Sequence, residues 1–249
     1  MKYTTIFFII STIFLFSSCG EDESGNLNLN FKATYGSDPL VMFNEFEYNN
    51  TQIRIAQSDM FISDITLVGT DGEVELDEIN FIDFTNQNID EEKAINGINL
   101  DYSDVPVGSY SQLRFSIGVP TSLNSQKPAD FNSENPLSNS GHYWTAWNSF
   151  IFAKLQGNLE TESDGAFDLG WFFHTGRNDL LRTIILPISV TIDKDVSESV
   201  SISFDHKELF SVGNNEYFDI EENPTNHDPT NIGPLSMIVD NYNSAINVE

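Results

Sequence analysis

Apolar and polar residues alternate one for one over long stretches of this chain, and that period of two decides what it can fold into. Leu27, Leu29, Phe31, Ala33 and Tyr35 alternate with polar neighbours, Leu113, Phe115 and Ile117 repeat the pattern, and Val200, Ile202 and Phe204 resume it. Successive side chains of an extended strand point to opposite faces, so each run describes a strand with one buried and one wet side. The run from Ile184 to Ile192 is β-branched and nearly continuous, as for a strand covered on both faces. Thr70-Asp71-Gly72, Asn96-Gly97, Val107-Gly108-Ser109 and Asp164-Gly165 supply turns between the runs. The expectation is an all-β fold, an antiparallel β-sandwich. Helical spacing emerges near the C-terminus, at Leu235, Ile238, Val239, Tyr242 and Ile246, with Pro234 suited to a first turn. That predicts one short C-terminal helix. Between Thr121 and Ser140 the chain is rich in Ser, Asn and Pro and reads as a long loop leading into His142.

Charge and cysteine content narrow the function. Asp plus Glu number 38 against 11 Lys plus Arg, a formal net charge of −27, and such a chain repels phosphate backbones. Nucleic acid is excluded as a partner. The single cysteine, Cys19, cannot form an internal disulfide, so stability must come from a hydrophobic core; the 20 phenylalanines suit one. No Gly-x-Ser-x-Gly elbow, Gly-rich phosphate loop or His-Glu-x-x-His helix is present, and the chain reads as a binding protein, not an enzyme.

The first residues describe a secretory signal: Lys2, an apolar run from Ile6 to Phe16, then Ser17-Ser18-Cys19-Gly20. A lone cysteine at the cut resembles a bacterial lipobox. That implies residues 1–18 as signal peptide, a lipidated Cys19 and an outer-membrane protein held by its lipid anchor. Glu21-Asp22-Glu23 resembles the export tags of surface-exposed lipoproteins in Bacteroidetes, which would put the protein on the cell surface; a solvated tether is the alternative. Residues 19–27 are accordingly expected to be a disordered acidic tether, and 28–249 one domain.

Two aromatic stretches carry the candidate chemistry. Gly141-His142-Tyr143-Trp144-Thr145-Ala146-Trp147 runs into Phe150 through Gly157, and Trp171-Phe172-Phe173-His174-Thr175-Gly176 ends a second aromatic strand. In an extended segment His142 and Trp144 would share one side, and Phe172 and His174 would share another. Together these stretches resemble the MbnP-like copper-binding family, the methanobactin-associated proteins and their lipoprotein relatives. That family carries W-x-W-x-x-G-Y-x-F-x-K-x-E-G, then a strand ending in aromatic-His-x-Gly. Trp144, Phe152, Lys154 and Gly157 match it, whereas Ala146, Ser149, Phe150 and Gln156 replace the second Trp, Gly, Tyr and Glu. Many lipoprotein relatives have Met where this chain has His142.

The resemblance implies copper bound by His142 and His174 beside Trp144, with His227 as a reserve ligand; neutral imidazole is a good copper ligand. It further implies oxidation of Trp144 to kynurenine by a partner dihaem peroxidase. Trp147, out of register with the family's second tryptophan, is assigned to packing, and His206 to the surface. The competing reading is a cell-surface module that binds a glycan or protein through exposed aromatics without metal.

Overall fold

The structure is a computed structural model, and it describes residues 23–162, 164–227 and 232–249. Cys19 and the acidic residues Glu21 and Asp22 lie outside the described residues. In chain order the first half holds β1 (Ser24–Tyr35), β2 (Asp38–Pro39), β3 (Glu45–Tyr48), β4 (Thr51–Gly69) and β5 (Gly72–Asp83). Two short helices follow, α1 (Phe84–Gln87) and α2 (Glu91–Asn96), then β6 (Ile98–Pro106), β7 (Gly108–Ile117) and α3 (Thr121–Asn124). The second half holds β8 (Tyr143–Trp144), β9 (Ser149–Leu159), β10 (Leu169–Gly176), β11 (Arg182–Ile192) and β12 (Ser197–Asp205). A small hairpin, β13 (Ser211–Gly213) with β14 (Glu216–Tyr217), precedes β15 (Thr225–Asn226), α4 (Gly233–Asp240), α5 (Tyr242–Ala245) and β16 (Ile246–Val248).

Two sheets pack face to face, as the alternation predicts. One has the order β16-β12-β1-β2, with β6 also on β1; the other runs β11-β7-β4-β9-β10-β15. The 19-residue β4 is the spine of the larger sheet. Its first half lies between β3 and β9, and its second half between β5 and β7. Most pairs are antiparallel, but β1 runs parallel to β12 and β10 parallel to β15. Parallel neighbours need long connections, which no alternation pattern reveals.

Inward-facing residues of the two sheets form one core. Leu27, Leu29, Phe31 and Ala33 of β1 meet Ile53, Ile55, Met60 and Ile62 of β4 and Trp171 and Phe173 of β10. Phe31 ties the sheets together, with its ring centroid 6.0 Å from both Phe115 and Phe204. Each such side chain contributes about 1.5–3 kcal/mol by leaving water. Leu235, Ile238, Val239 and Tyr242 add the helical face to the same core. Pro234 stands in the first turn of α4 as expected, while Ile246 leaves the helical register and joins β16.

Three sequence expectations need correction. Ser24 to Leu27 are not tether: β1 begins at Ser24, and Leu27 is buried between Glu198 and Tyr102. His206 is not a surface residue. It continues the inward series Val200, Ile202, Phe204, is fully buried, and lies 2.7 Å from Ser58 Oγ and 3.1 Å from the Phe204 carbonyl. The stretch from Thr121 to Ser140 is folded. Its Pro and Asn residues start and cap short 3-10 turns at Pro128–Asp130, Pro136–Ser138 and Ser140–His142. Leu123 of α3 and Leu137 of the second turn pack with Phe61, Phe150 and Phe152 in a second apolar cluster on the outer face of the larger sheet.

Gly157 is a point where the sheet admits no side chain. A Cβ there would stand 1.9 Å from the Arg54 carbonyl and 2.5 Å from the Trp171 ring. Neither backbone nor packed indole can retreat cheaply. Gly157→Ala is therefore expected to destabilise the fold by about 2–4 kcal/mol, read as a lowered midpoint in chemical denaturation; an unchanged midpoint would contradict this packing.

Candidate metal centre

The outward-facing residues of β4, β9 and β10 lie in register across the larger sheet. One row is Asp59, Lys154 and His174; the next is Gln57, Gln156 and Phe172, continued by Thr225 of β15. Alternation sends Trp171 and Phe173 into the core and leaves Phe172 and His174 half-buried on the other face, as the sequence predicts. Backbone register alone thus sets an acid, an amine and an imidazole side by side.

Over this lattice the chain stacks four rings. Trp147 and Trp144 lie nearly parallel, with centroids 5.0 Å apart and planes 11° from parallel. Trp144 stacks on His227 at 4.7 Å, and His227 on Phe172 at 5.1 Å, each pair inclined by 24°. His174 stands beside this column, 5.3 Å from the Phe172 ring and 6.4 Å from that of Trp144, edge-on to the indole. Gly176 makes room for the outer end: a Cβ there would be 2.8 Å from the Trp147 ring. Trp147 does pack, and it does so on Trp144.

Two imidazole nitrogens in this cluster have no partner. His174 Nε2 lies 2.8 Å from the Gln156 amide nitrogen, but His174 Nδ1 is buried and unbonded. His227 Nδ1 is buried and unbonded as well. A buried polar atom without a hydrogen bond costs on the order of 1–3 kcal/mol, so two in one cluster call for an explanation. Burial holds the His174 pKa down to about 4, helped by Lys154, His227 and His142 and opposed by Asp59. Its ring is neutral near pH 7, the form that can donate a lone pair to a metal.

His142 is bound differently. Its ring is buried in a slot with Phe81 edge-on at 4.8 Å and Phe61 edge-on at 5.7 Å. Nε2 lies 2.7 Å from Asp59 Oδ1, and Nδ1 lies 3.3 Å from the Asn139 amide nitrogen. The Gln57 amide donates to the other Asp59 oxygen, and Lys154 Nζ donates to the Gly141 carbonyl at 2.9 Å. His142 closes a 3-10 turn rather than lying in a strand, so it and Trp144 acquire different ring neighbours. The structure thus groups His174 and His227 around Trp144, with His142 tied to the adjoining Asp59. Among the described residues, no set of three or more His, Cys, Asp or Glu side chains is arranged to hold a metal ion.

Sequence reasoning missed Asp59, Gln57, Asn139 and the part played by Phe172. Asp59 left a signal: an acid directly before the apolar run Met60-Phe61-Ile62 of a strand must find a partner if buried. Asn139 left none beyond the composition of its segment.

Comparison with known proteins adds a family. The MbnP family profile matches residues 24–229. Among solved structures, the chain is similar to MbnP from Methylosinus trichosporium, with a TM-score of 0.53 and 12% identity over 76% of this chain and 78% of that one. At that identity the likeness concerns the fold. No curated protein matches the chain.

The neutral histidines make stability depend on pH. Burial lowers the pKa of His206 as well as that of His174. In the unfolded chain each takes up a proton near pH 6.5, so below that pH, and for His174 down to about pH 4, the unfolded state binds more protons. Stability is then full above about pH 6.5 and declines as pH falls below it, as the unfolded chain takes up protons that the buried rings do not. Denaturation curves at neutral and mildly acidic pH should show this decline, and His206→Phe should reduce it; a decline of unchanged size in that variant would contradict the assignment.

Proposed function

The chain belongs to the MbnP family, and on that premise we propose that it binds copper at the histidine–tryptophan column, as a binding protein with no catalytic role. The observation that carries this reading is the pair of buried, unpartnered Nδ1 atoms of His174 and His227 beside Trp144. Two imidazoles suit copper, which would supply the partner that both Nδ1 atoms lack. At His174 this needs the Gln156 amide turned so that its oxygen accepts from Nε2–H, because the amide nitrogen that faces Nε2 in the metal-free protein puts the ring proton on Nδ1. His174 is held by Gln156 and Phe172, His227 between two ring faces, so both are oriented before any ligand arrives. His142 stands as a further donor, anchored by Asp59. Trp144 is the residue placed to be oxidised to kynurenine by a dihaem peroxidase partner, since its indole touches both histidines.

On this account the protein is exported, lipidated at Cys19, and held in the outer membrane facing the cell exterior. Two acyl signals on one residue would anchor it stably. Cys19→Ala should release the protein from the membrane fraction; retention there with an unprocessed N-terminus would refute the anchor.

A second reading keeps a specific observation in its favour. The half-buried Trp144–Trp147 pair, and the absence of a three-donor set among the described residues, suit a surface module that holds a glycan or protein against its aromatics without metal. Competition titration with copper separates the two. The His174→Ala, His227→Ala double variant is expected to lose more affinity than the roughly 10–100-fold that an outer contact costs. Equal copper affinity in wild type and double variant would exclude the metal reading.

A further inference from the structure

The imidazole of His142 lies between two groups whose hydrogen-bonding roles are both fixed, and this leaves the ring one arrangement of protons. An ionised carboxylate only accepts. Asp59 Oδ1 lies 2.7 Å from His142 Nε2, while Asp59 Oδ2 accepts from the Gln57 amide. Nε2 must therefore carry the proton. On the other side Asn139 presents its amide nitrogen, 3.3 Å from His142 Nδ1. The two ends of an asparagine amide are assigned from their partners, and here the assignment is settled locally. Asn139 Oδ1 accepts the Gly141 backbone N–H at 2.9 Å and so caps the 3-10 turn that contains His142. The nitrogen end thus faces the ring, it can only donate, and Nδ1 must be the lone pair. Lys154, bonded to the Gly141 carbonyl at 2.9 Å, pins the same turn to β9.

We propose that Asp59 and Asn139 are positioning residues that clamp His142 as the neutral Nε2–H tautomer, so that it can meet copper only through Nδ1 and only when Asn139 lets go. The clamp is a property of the metal-free protein. Its consequence for copper rests on the reading given under Proposed function. It also accounts for an asymmetry in the cluster: His174 and His227 keep free nitrogens, whereas the third histidine is bonded at both of its own. Asn139 then acts as a competitor for the lone pair, and recruiting His142 requires the capped turn to shift.

Nitrogen-15 NMR of histidine-labelled, metal-free protein tests this, with the His142 signals assigned by their loss in His142→Ala. Wild type should show one pyrrole-type nitrogen at Nε2 and one pyridine-type nitrogen at Nδ1. Asn139→Asp keeps the cap on Gly141 through one oxygen and turns the other into an acceptor, so both His142 nitrogens should become pyrrole-type. Asp59→Asn should move population toward the Nδ1–H tautomer. An Nδ1–H ring in wild type, or unchanged His142 signals in both variants, would overturn the clamp. Adding Cu(I) to wild type should then move the Nδ1 signal while Nε2 stays protonated. Coordination through Nε2 would overturn the second half of the proposal. Failure of every histidine to respond to copper would instead reject the metal reading and leave the clamp standing.

Discussion

The pairing of β4, β9 and β10 is the constraint on which the rest depends. Strands in a sheet lie about 4.8 Å apart and alternate their side chains, so one register fixes two surfaces at once. Inward, it brings Trp171 and Phe173 against Phe210 and the β1 residues to make the core. Outward, it sets Asp59 beside Lys154 and Lys154 beside His174. A slip of one residue would exchange the two faces, burying the ions and exposing the core. The site is therefore held by the same free energy that folds the domain, and Gly157, where β4, β9 and the Trp171 ring meet most closely, belongs to both.

Outer faces of sheets are ordinarily wet, and this one is covered. The segment from Thr121 to Trp147 lays Leu123, Leu137, Tyr143 and Phe131 over Phe150 and Phe61, and next to them Trp144 and Trp147, the outer two rings of the column that ends on Phe172. Covering the face changes the chemistry of what lies beneath. His174 loses solvent and stays neutral to about pH 4. Asp59 and His142, both buried, compensate one another through a direct hydrogen bond, and removing either would strand a polar group in an apolar slot. Aromatic stacking then orders the remaining rings: His227, just after the short strand β15 at the sheet edge, gains its position from Trp144 on one face and Phe172 on the other.

Much of this was legible in the sequence, for physical reasons that can be named. Period-two alternation reports burial directly, so the sandwich, the inward Trp171 and Phe173 and the outward His174 followed from it. The same rule, carried two residues beyond Phe204, would have buried His206. Parallel pairing of β1 with β12 could not be read, because it joins segments 171 residues apart, as between Asn26 and Ser197. Nor could the order within Thr121 to Ser140, since Asn and Pro mark turns without saying what the turns press against. Family resemblance found His142, His174, His227 and Trp144. It did not find Asp59 or Asn139, whose importance lies in contacts spanning 83 and 3 residues and appears only once β4 and the capped turn are side by side.

The central claim is that the free nitrogens of His174 and His227 are the waiting half of a copper site. Anomalous diffraction at the copper edge, from crystals of the protein loaded with one equivalent of copper, tests it most directly. The account predicts one strong peak about 2 Å from both Nδ1 atoms, beside the Trp144 ring, as imidazole–metal distances require. Copper bound only at surface carboxylates, with both Nδ1 atoms unbonded, would contradict it.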